Sequence, residues 1–482
     1  MKLGGLDVGT TGCKVSVYDE KGTFLCNSYR EYASVRDNDQ QVIDPDAVWN
    51  GVLEVIREAA GKVGTIDAIG VTSFGESFVL LDENDRVLMP SMLYTDPRGT
   101  EEYQTFDDDA VIRITGIKPH AMYSLPKLMW VKKHRAGLYE KTKRILLFED
   151  FIIYKLTGVA QIDYSLASRT MAFDIHDRCW SGEMLRLAGI DEKKLSRPVC
   201  GGTVAGPIRC PELSMPETVI VNGCHDQMAA LMGAGVLESR AAVDGTGTVE
   251  CVTPVFDTVP ENRAFYEGSY AVLPHILNDK YICYAFSFTG GAALKWFRDT
   301  FAPDTSYKEL DASIGDKPTG ILVLPHFAGA ATPYMDSGAK AAFVGVTLGT
   351  SRSDLYRAVM EGVTYEMLLN MERLQEAGIV IDRLYATGGG ANSPAWLQIK
   401  ADILGRELVA LDAPEAGAAG TVMLTGVAVG AFSDLETARS VMVRERKTYR
   451  PDMALHAEYE KHYRRYRRLY EAVRPLMDQE ET

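Results

Sequence analysis

The chain has 482 residues, 46% of them apolar and 24% charged, and carries a formal net charge of −15. A single hydrophobic core stops growing at roughly 250–300 residues, so two domains are expected, and the acidic balance argues against nucleic-acid backbones or anionic membranes as partners. The 8 cysteines are scattered, with no C-x-x-C pair and no clustering with the 8 histidines, which points away from a zinc site or disulfide framework and fits reduced thiols in a cytosol.

In chain order, "MKLGGLDVGTTG" lacks the basic-then-apolar pattern of a signal peptide. Residues 2–8, 13–19 and 23–30 read as strands joined by "GTTG" and "DEKGT" turns. Asp44 and Pro45 form an N-cap and first helical residue, followed by Val48, Val52, Val55, Ile56 and Ala59 at helical spacing up to Gly61. Residues 66–74 form a strand leading into Gly75-Glu76-Ser77. The run "VIVNGCHDQMAAL" (219–231) then places one carboxylate, Asp226, between an apolar strand and an alanine-rich helix. Burying an unpaired carboxylate is costly, so Asp226 either caps the helix or reaches into a cleft where its charge is used.

The second half begins as the first does. "AAVDGTGTVECVTPV" (241–255) again offers strand, glycine-threonine turn and strand. A helix follows over 353–377, with Leu355, Val359, Val363 and Met367 on one stripe and Gly378 as its stop. Residues 381–390 form a strand ending in glycines, and Ser393-Pro394 opens a helix bearing Trp396, Ile399, Ile403 and Leu404. The uncharged stretch 416–433, with four glycines, suits a tightly packed interior helix better than a bilayer span. Tyr459, Tyr463, Tyr466 and Tyr470 recur at helical spacing among arginines and read as a packing face. The halves look like relatives, with domains expected over 1–239 and 240–482.

Asp7 stands directly before a tight hairpin, "LDVGTTGCK". Glycines let backbone N–H groups approach a phosphate, hydroxyls add donors, and a carboxylate at the mouth can hold Mg²⁺ through water. A plain hairpin turn is the alternative. "DGTGT" (244–248) and "TGGGANS" (387–393) support the phosphate reading, whereas neither G-x-G-x-x-G after a first strand nor GxxxxGK[ST] occurs.

With these residues in view, the chain resembles the FGGY carbohydrate kinases. "MYSLPKLMWVKKH" (122–134) and "AAFVGVTLGTSRSDLYRAVME" (341–361) fit the family's two signatures, in step with Asp7-Val8-Gly9-Thr10-Thr11, Asp226 and the 387–405 stretch. The resemblance implies an α/β fold of two ribonuclease-H-like domains of the actin, Hsp70 and hexokinase superfamily with a cleft between them. It implies ATP and Mg²⁺ as cofactors, Asp226 as general base, and Asp7 as the magnesium-associated acid. Thr10, Thr11 and Lys14 would lie on the first phosphate hairpin, Gly245, Thr246 and Gly247 on the second, Gly291 at phosphate or ribose, and Gly389, Gly390 and Asn392 around adenosine. A cytoplasmic enzyme acting on a small sugar or polyol, with a homodimer as the assembly considered, completes the expectation. A chaperone-like ATPase and a silent sugar-binding regulator are the readings from other classes.

Glu76, Ser77, Tyr94, Asp226 and Gln227 form the expected acceptor pocket. Glu76 and Gln227 are glycerol-kinase-like, whereas "LLDENDRVLMPSMLYTDPRG" (80–99) follows the rhythm of xylulose kinases. Gly75 stands where glycerol kinases carry the arginine that pairs with the glutamate, and its small size is expected to open room for more than three carbons. A ketopentose is therefore favoured over glycerol, with D-xylulose as the first candidate and L-ribulose, L-xylulose, erythritol and glycerol as the alternatives.

Overall fold

The computed structural model describes residues 1–36, 40–412 and 415–478. Two compact units result. The first comprises Met1–Gly235, Val272–Lys280 and Glu415–Val443, and the second Val236–Ala271, Tyr281–Pro414 and Arg444–Thr482.

The first unit is built on a six-stranded sheet. Lys2–Val8 pairs antiparallel with Gly12–Asp19, which pairs antiparallel with Phe24–Glu31. On its other side Lys2–Val8 runs parallel to Ala68–Ser73, itself parallel to Val219–His225, and Val204–Pro207 closes the edge. Strands central to such a sheet are covered on both faces, which is why "AIGVTS" (68–73) is buried throughout. Helix Pro45–Val63 starts as its sequence signals, the Asp44 carboxylate accepting from Asp46 N at 3.0 Å and Pro45 opening the first turn. It runs past Gly61, because Lys62 donates to Asn27 O and Glu58 and adds part of a turn before Gly64, at φ +79°, ends it.

The second unit repeats the pattern. Ala241–Thr246 pairs antiparallel with Glu250–Phe256 and parallel with Arg383–Thr387, which is followed by parallel Glu407–Leu411 and antiparallel Glu445–Tyr449. Helix Arg352–Glu376 begins with a reciprocal cap between Ser351 and Asp354. Tyr459, Tyr463 and Tyr466 are buried against it, with Tyr463 and Tyr466 donating to Glu372 and Glu366. The tyrosine stripe is a packing face, as its period predicts.

The linear division at 239/240 and the compact units differ in three segments, the four residues 236–239, Val272–Lys280 and Glu415–Val443. For Glu415–Val443 the physical reason is close packing. Helix Ala416–Ala428 lies on helix Asp226–Gly233 so tightly that a Cβ at Gly420 would stand 1.9 Å from Ala229 O, and one at Gly233 1.8 Å from Ala416 O. It also covers the sheet, where a Gly5 Cβ would meet Ala418 O at 2.6 Å, and Thr421 Oγ1 lies 2.8 Å from Thr72 Oγ1. Among the described residues no helix is long and apolar enough to cross a membrane.

Candidate active site

Two elements of the first unit meet at Asp226. Strand Val219–His225 ends one residue before it, and the carboxylate stands at the first position of helix Asp226–Gly233, where N–H groups and the helix dipole favour negative charge. Oδ1 accepts from Gln227 N at 2.6 Å and lies 3.1 Å from His225 Nδ1. Oδ2 has no hydrogen-bond partner among the described residues. The side chain keeps 36% of its surface open, yet desolvation by the surrounding protein pushes its pKa up to about 6, partly offset by the Gln227 N–H and Arg169. So Asp226 caps nothing with Oδ2; that oxygen is left for a ligand.

Glu76 occupies the turn after Ala68–Ser73 in the left-handed region, at φ +63°, held there by Ser124 Oγ donating to its carbonyl at 2.6 Å. Its buried carboxylate meets Arg169, whose Nε and Nη2 both reach Oε1, at 2.6 and 2.5 Å. The guanidinium also lies 5.1 Å from the centre of the Tyr123 ring. This corrects the expectation that the small size of Gly75 opens room in the pocket, and it gives Glu76 a guanidinium partner from another element. A Cβ at Gly75 would lie 3.1 Å from the His225 ring and 3.2 Å from the Arg169 stem, so those side chains fill the space. Tyr94 is 41% exposed, and burial of its ring together with the charges of Glu76 and Asp226 raises its pKa, which places it within electrostatic reach of both acids. Gln227 is exposed beside Asp226. Ser77 is fully buried, its hydroxyl enclosed and without a hydrogen-bond partner among the described residues.

Asp7 lies opposite Lys14 in the first hairpin, and Thr10 and Thr11 form its tip. Burial and the neighbouring Asp226 charge raise Asp7 to about 6, with Lys14 acting the other way. The Asp7 carboxylate makes no hydrogen bond to the described residues. An oxygen donor held in that state suits a hard divalent cation bound mainly through water and phosphate oxygens, and no group of three protein ligands occurs among the described residues. Lys14 is paired with Glu415 at the start of helix Ala416–Ala428.

In the second unit, Gly245, Thr246, Gly247, Gly291, Gly389, Gly390 and Asn392 come together. Gly291 N donates to Gly247 O at 2.8 Å, and Cβ atoms at Gly388 and Gly390 would meet Thr246 at 2.5 and 2.4 Å. Asn392 is exposed and accepts from Arg446 Nη1 at 3.3 Å. Thr246, however, is 1% exposed and its hydroxyl accepts from Lys400 Nζ at 2.6 Å, so a phosphate at this hairpin would meet its backbone rather than its hydroxyl. Lys400, which the sequence reading passed over, also pairs with Asp244 at 2.7 Å and with Glu250. Burial disfavours its charge, but the two acids outweigh that and raise its pKa, while burial and Asp244 raise Glu250 well above the carboxylate range. Lys400 thus ties the two acids together, and Asp244 and Glu250 depend on it as their shared cationic partner.

Residues 2–233 match the N-terminal domain, and residues 243–429 the C-terminal domain, of the FGGY family of carbohydrate kinases. The chain belongs to this family. The kinase is 26% identical to a xylulose kinase of Bacillus subtilis over 487 residues, covering 98% of this chain and 97% of that one. It is 30% identical to a glycerol kinase of Enterococcus faecalis over 471 residues, 93% of each chain. Its fold is shared with a ligand-bound xylulose kinase of Lactobacillus acidophilus, with a TM-score of 0.90 at 23% identity over 98% of each chain. As a member of the family the kinase is an ATP-dependent carbohydrate kinase. Arg169 escaped the sequence reading because it lies 93 positions from Glu76; the one signal was a basic residue within the otherwise uncharged run "YSLASRTMAF" (164–173).

Proposed function

We propose that the kinase moves the γ-phosphoryl group of ATP onto a hydroxyl of a ketopentose, with D-xylulose as the first candidate, and that Asp226 is its general base. The observation that carries this reading is the free Oδ2 of Asp226 among Glu76, Tyr94 and Asp7, a base beside groups suited to hydroxyls. In the step, the acceptor O–H bond breaks as its proton passes to Oδ2, a new O–P bond forms, and the bond from phosphorus to the bridging oxygen breaks, its electron pair staying on ADP. An alcohol is a far weaker acid than a carboxyl of pKa about 6, so Asp226 orients the hydroxyl first and takes the proton late. Glu76, its Oε1 saturated by Arg169, offers Oε2 to a second hydroxyl, with Tyr94 as an aromatic wall and Gln227 beside the base. Asp7 would hold magnesium, which when bound neutralises phosphate charge. The backbone at Gly245, Thr246 and Gly247, with Gly291, would receive phosphates, and Gly389, Gly390 and Asn392 the adenosine.

A second reading, glycerol or another short polyol, is favoured by the buried Arg169–Glu76 pair, which supplies the guanidinium that Gly75 lacks. Initial-rate measurement of ADP release with D-xylulose, L-xylulose, L-ribulose, erythritol and glycerol decides between them. The ketopentose reading requires a pentulose to give the highest kcat/KM; a polyol in first place rejects it.

A further inference from the structure

The Asp226 carboxylate does not present its two oxygens equally, and the side chain that distinguishes them is a histidine to which no role has been given. His225 is 7% exposed. Its backbone N–H donates to Ser165 Oγ at 2.9 Å, and Ser165 in turn donates to Asp163 from both Oγ, at 3.1 Å, and its own N–H, at 2.8 Å. On one side the ring lies against Gly75, where a Cβ would come within 3.1 Å of Cδ2 and 3.2 Å of Nε2, so the missing side chain there admits the imidazole and then confines it. On the other side Nδ1 lies 3.1 Å from Asp226 Oδ1.

The tautomer follows from the neighbours. Burial, with the Arg169 charge adding to it against Glu76, lowers the His225 pKa to about 4, so the ring carries a single proton at neutral pH. The Gln227 N–H lies 3.4 Å from Nδ1 but 2.6 Å from Asp226 Oδ1, and one N–H serves the nearer carboxylate. An unprotonated Nδ1 would then point its lone pair at a carboxylate oxygen, which is repulsive, whereas a proton there makes a charge-assisted hydrogen bond.

We propose that the His225 imidazole, with its proton on Nδ1, is a positioning residue that occupies Asp226 Oδ1 and leaves Oδ2 as the oxygen that takes the acceptor proton. This rests on the reading of Asp226 as general base. A neutral donor orients the carboxylate without lowering its basicity as a cation would, and the backbone held by Ser165 together with the ring confined at Gly75 denies Asp226 the rotation that would exchange its oxygens. Gly75, read from the sequence as an opening in the acceptor pocket, thereby becomes the residue that lets a histidine stand behind the base.

The test uses four variants with ATP, magnesium and whichever acceptor of the panel above turns over fastest. His225→Asn keeps an N–H at the place of Nδ1, His225→Gln moves it to the place of Nε2, His225→Ala removes it, and Asp226→Asn tests the base itself. Losing a hydrogen bond to a charged group corresponds to about a 10–100-fold fall in rate. His225→Ala and His225→Gln are expected to lose that much kcat with little change in the acceptor KM, and His225→Asn to recover most of it. Circular dichroism confirms that each variant is folded, and the Asn and Gln variants carry the comparison if the Ala variant is not. Wild-type kcat in His225→Ala, or a Gln variant as active as the Asn variant, overturns the proposal while an inactive Asp226→Asn leaves the base assignment standing. Near-normal turnover in Asp226→Asn overturns both.

Discussion

Helix Ala416–Ala428 meets helix Asp226–Gly233 backbone to backbone, and that contact sets where the base stands. In Gly420→Ala the new Cβ would fall 1.9 Å from Ala229 O and 2.6 Å from Gly233 N, whereas real Cβ atoms keep at least 3.0 Å from their neighbours. Neither neighbour is the end of a flexible side chain. The helices must therefore part by roughly 1.1 Å, the difference between 3.0 and 1.9 Å. Overpacking of this kind costs about 1–3 kcal/mol, and collision with backbone puts Gly420→Ala at the upper end. The helix-propensity gain of Ala over Gly returns about 1 kcal/mol, so a net loss of about 2 kcal/mol is expected, read as a lower urea midpoint at constant slope. Turnover should fall as well, because the parted helix carries Asp226 with it. Gly417→Ala is the control. It lies in the same helix with nothing within 4 Å of a Cβ, so its stability should be unchanged or higher. A Gly420→Ala protein within about 0.5 kcal/mol of wild type, or a Gly417→Ala protein damaged equally, would refute the packing argument.

The Asp226 carboxyl, raised to about 6, predicts that kcat/KM falls as pH drops through that value and the base takes up its proton; a kcat/KM level down to pH 5 would contradict it. The same shift has an opposite consequence for stability. A native pKa above the ordinary 3.8 means that the folded state binds the proton more tightly, so stability declines as pH rises from about 4 to about 6, and the penalty is complete above that. Asp226→Asn should accordingly melt above wild type at pH values beyond 6 and lose the advantage near pH 4, as calorimetry across pH would show. In the second unit, Lys400→Met removes the partner of buried Asp244 and should cost about 3–5 kcal/mol. Adding Asp244→Asn should restore much of the loss, and a silent Lys400→Met would show that the cluster contributes nothing.

Both sheets were legible because their strands are apolar runs punctuated by glycine-threonine turns, and the first long helix because Asp44-Pro45 announces it. Asp226 stood out as one charge at a strand-to-helix junction. What escaped was pairing across long sequence distance. Arg169 reaches Glu76 from another element, and no local pattern records that a glycine at 75 makes space for a side chain arriving from elsewhere. Lys400 did leave a trace, a cation on the apolar stripe of Trp396, Ile399 and Ile403, but a stripe does not reveal that Asp244 and Glu250 await it on neighbouring strands. Thr246 was read as a phosphate donor from its residue type, and only the direction of its hydroxyl, settled by Lys400, decides otherwise. The membership of residues 415–443 was hidden for a related reason, since glycine-to-backbone packing joins segments that no chain-order division would group.

That late segment governs the order in which the protein can be finished during synthesis. A nascent chain released only as far as Gly235 has made all six strands of its first sheet, but the side bearing Leu3, Gly5 and Gly70 has no cover until the helix starting at Ala416 leaves the ribosome. Until then an apolar surface faces water, and neighbouring nascent chains can stick to it. Maturation of the first unit therefore waits until the helix Ala416–Ala428 has been made, and a product interrupted before it would carry an adhesive face.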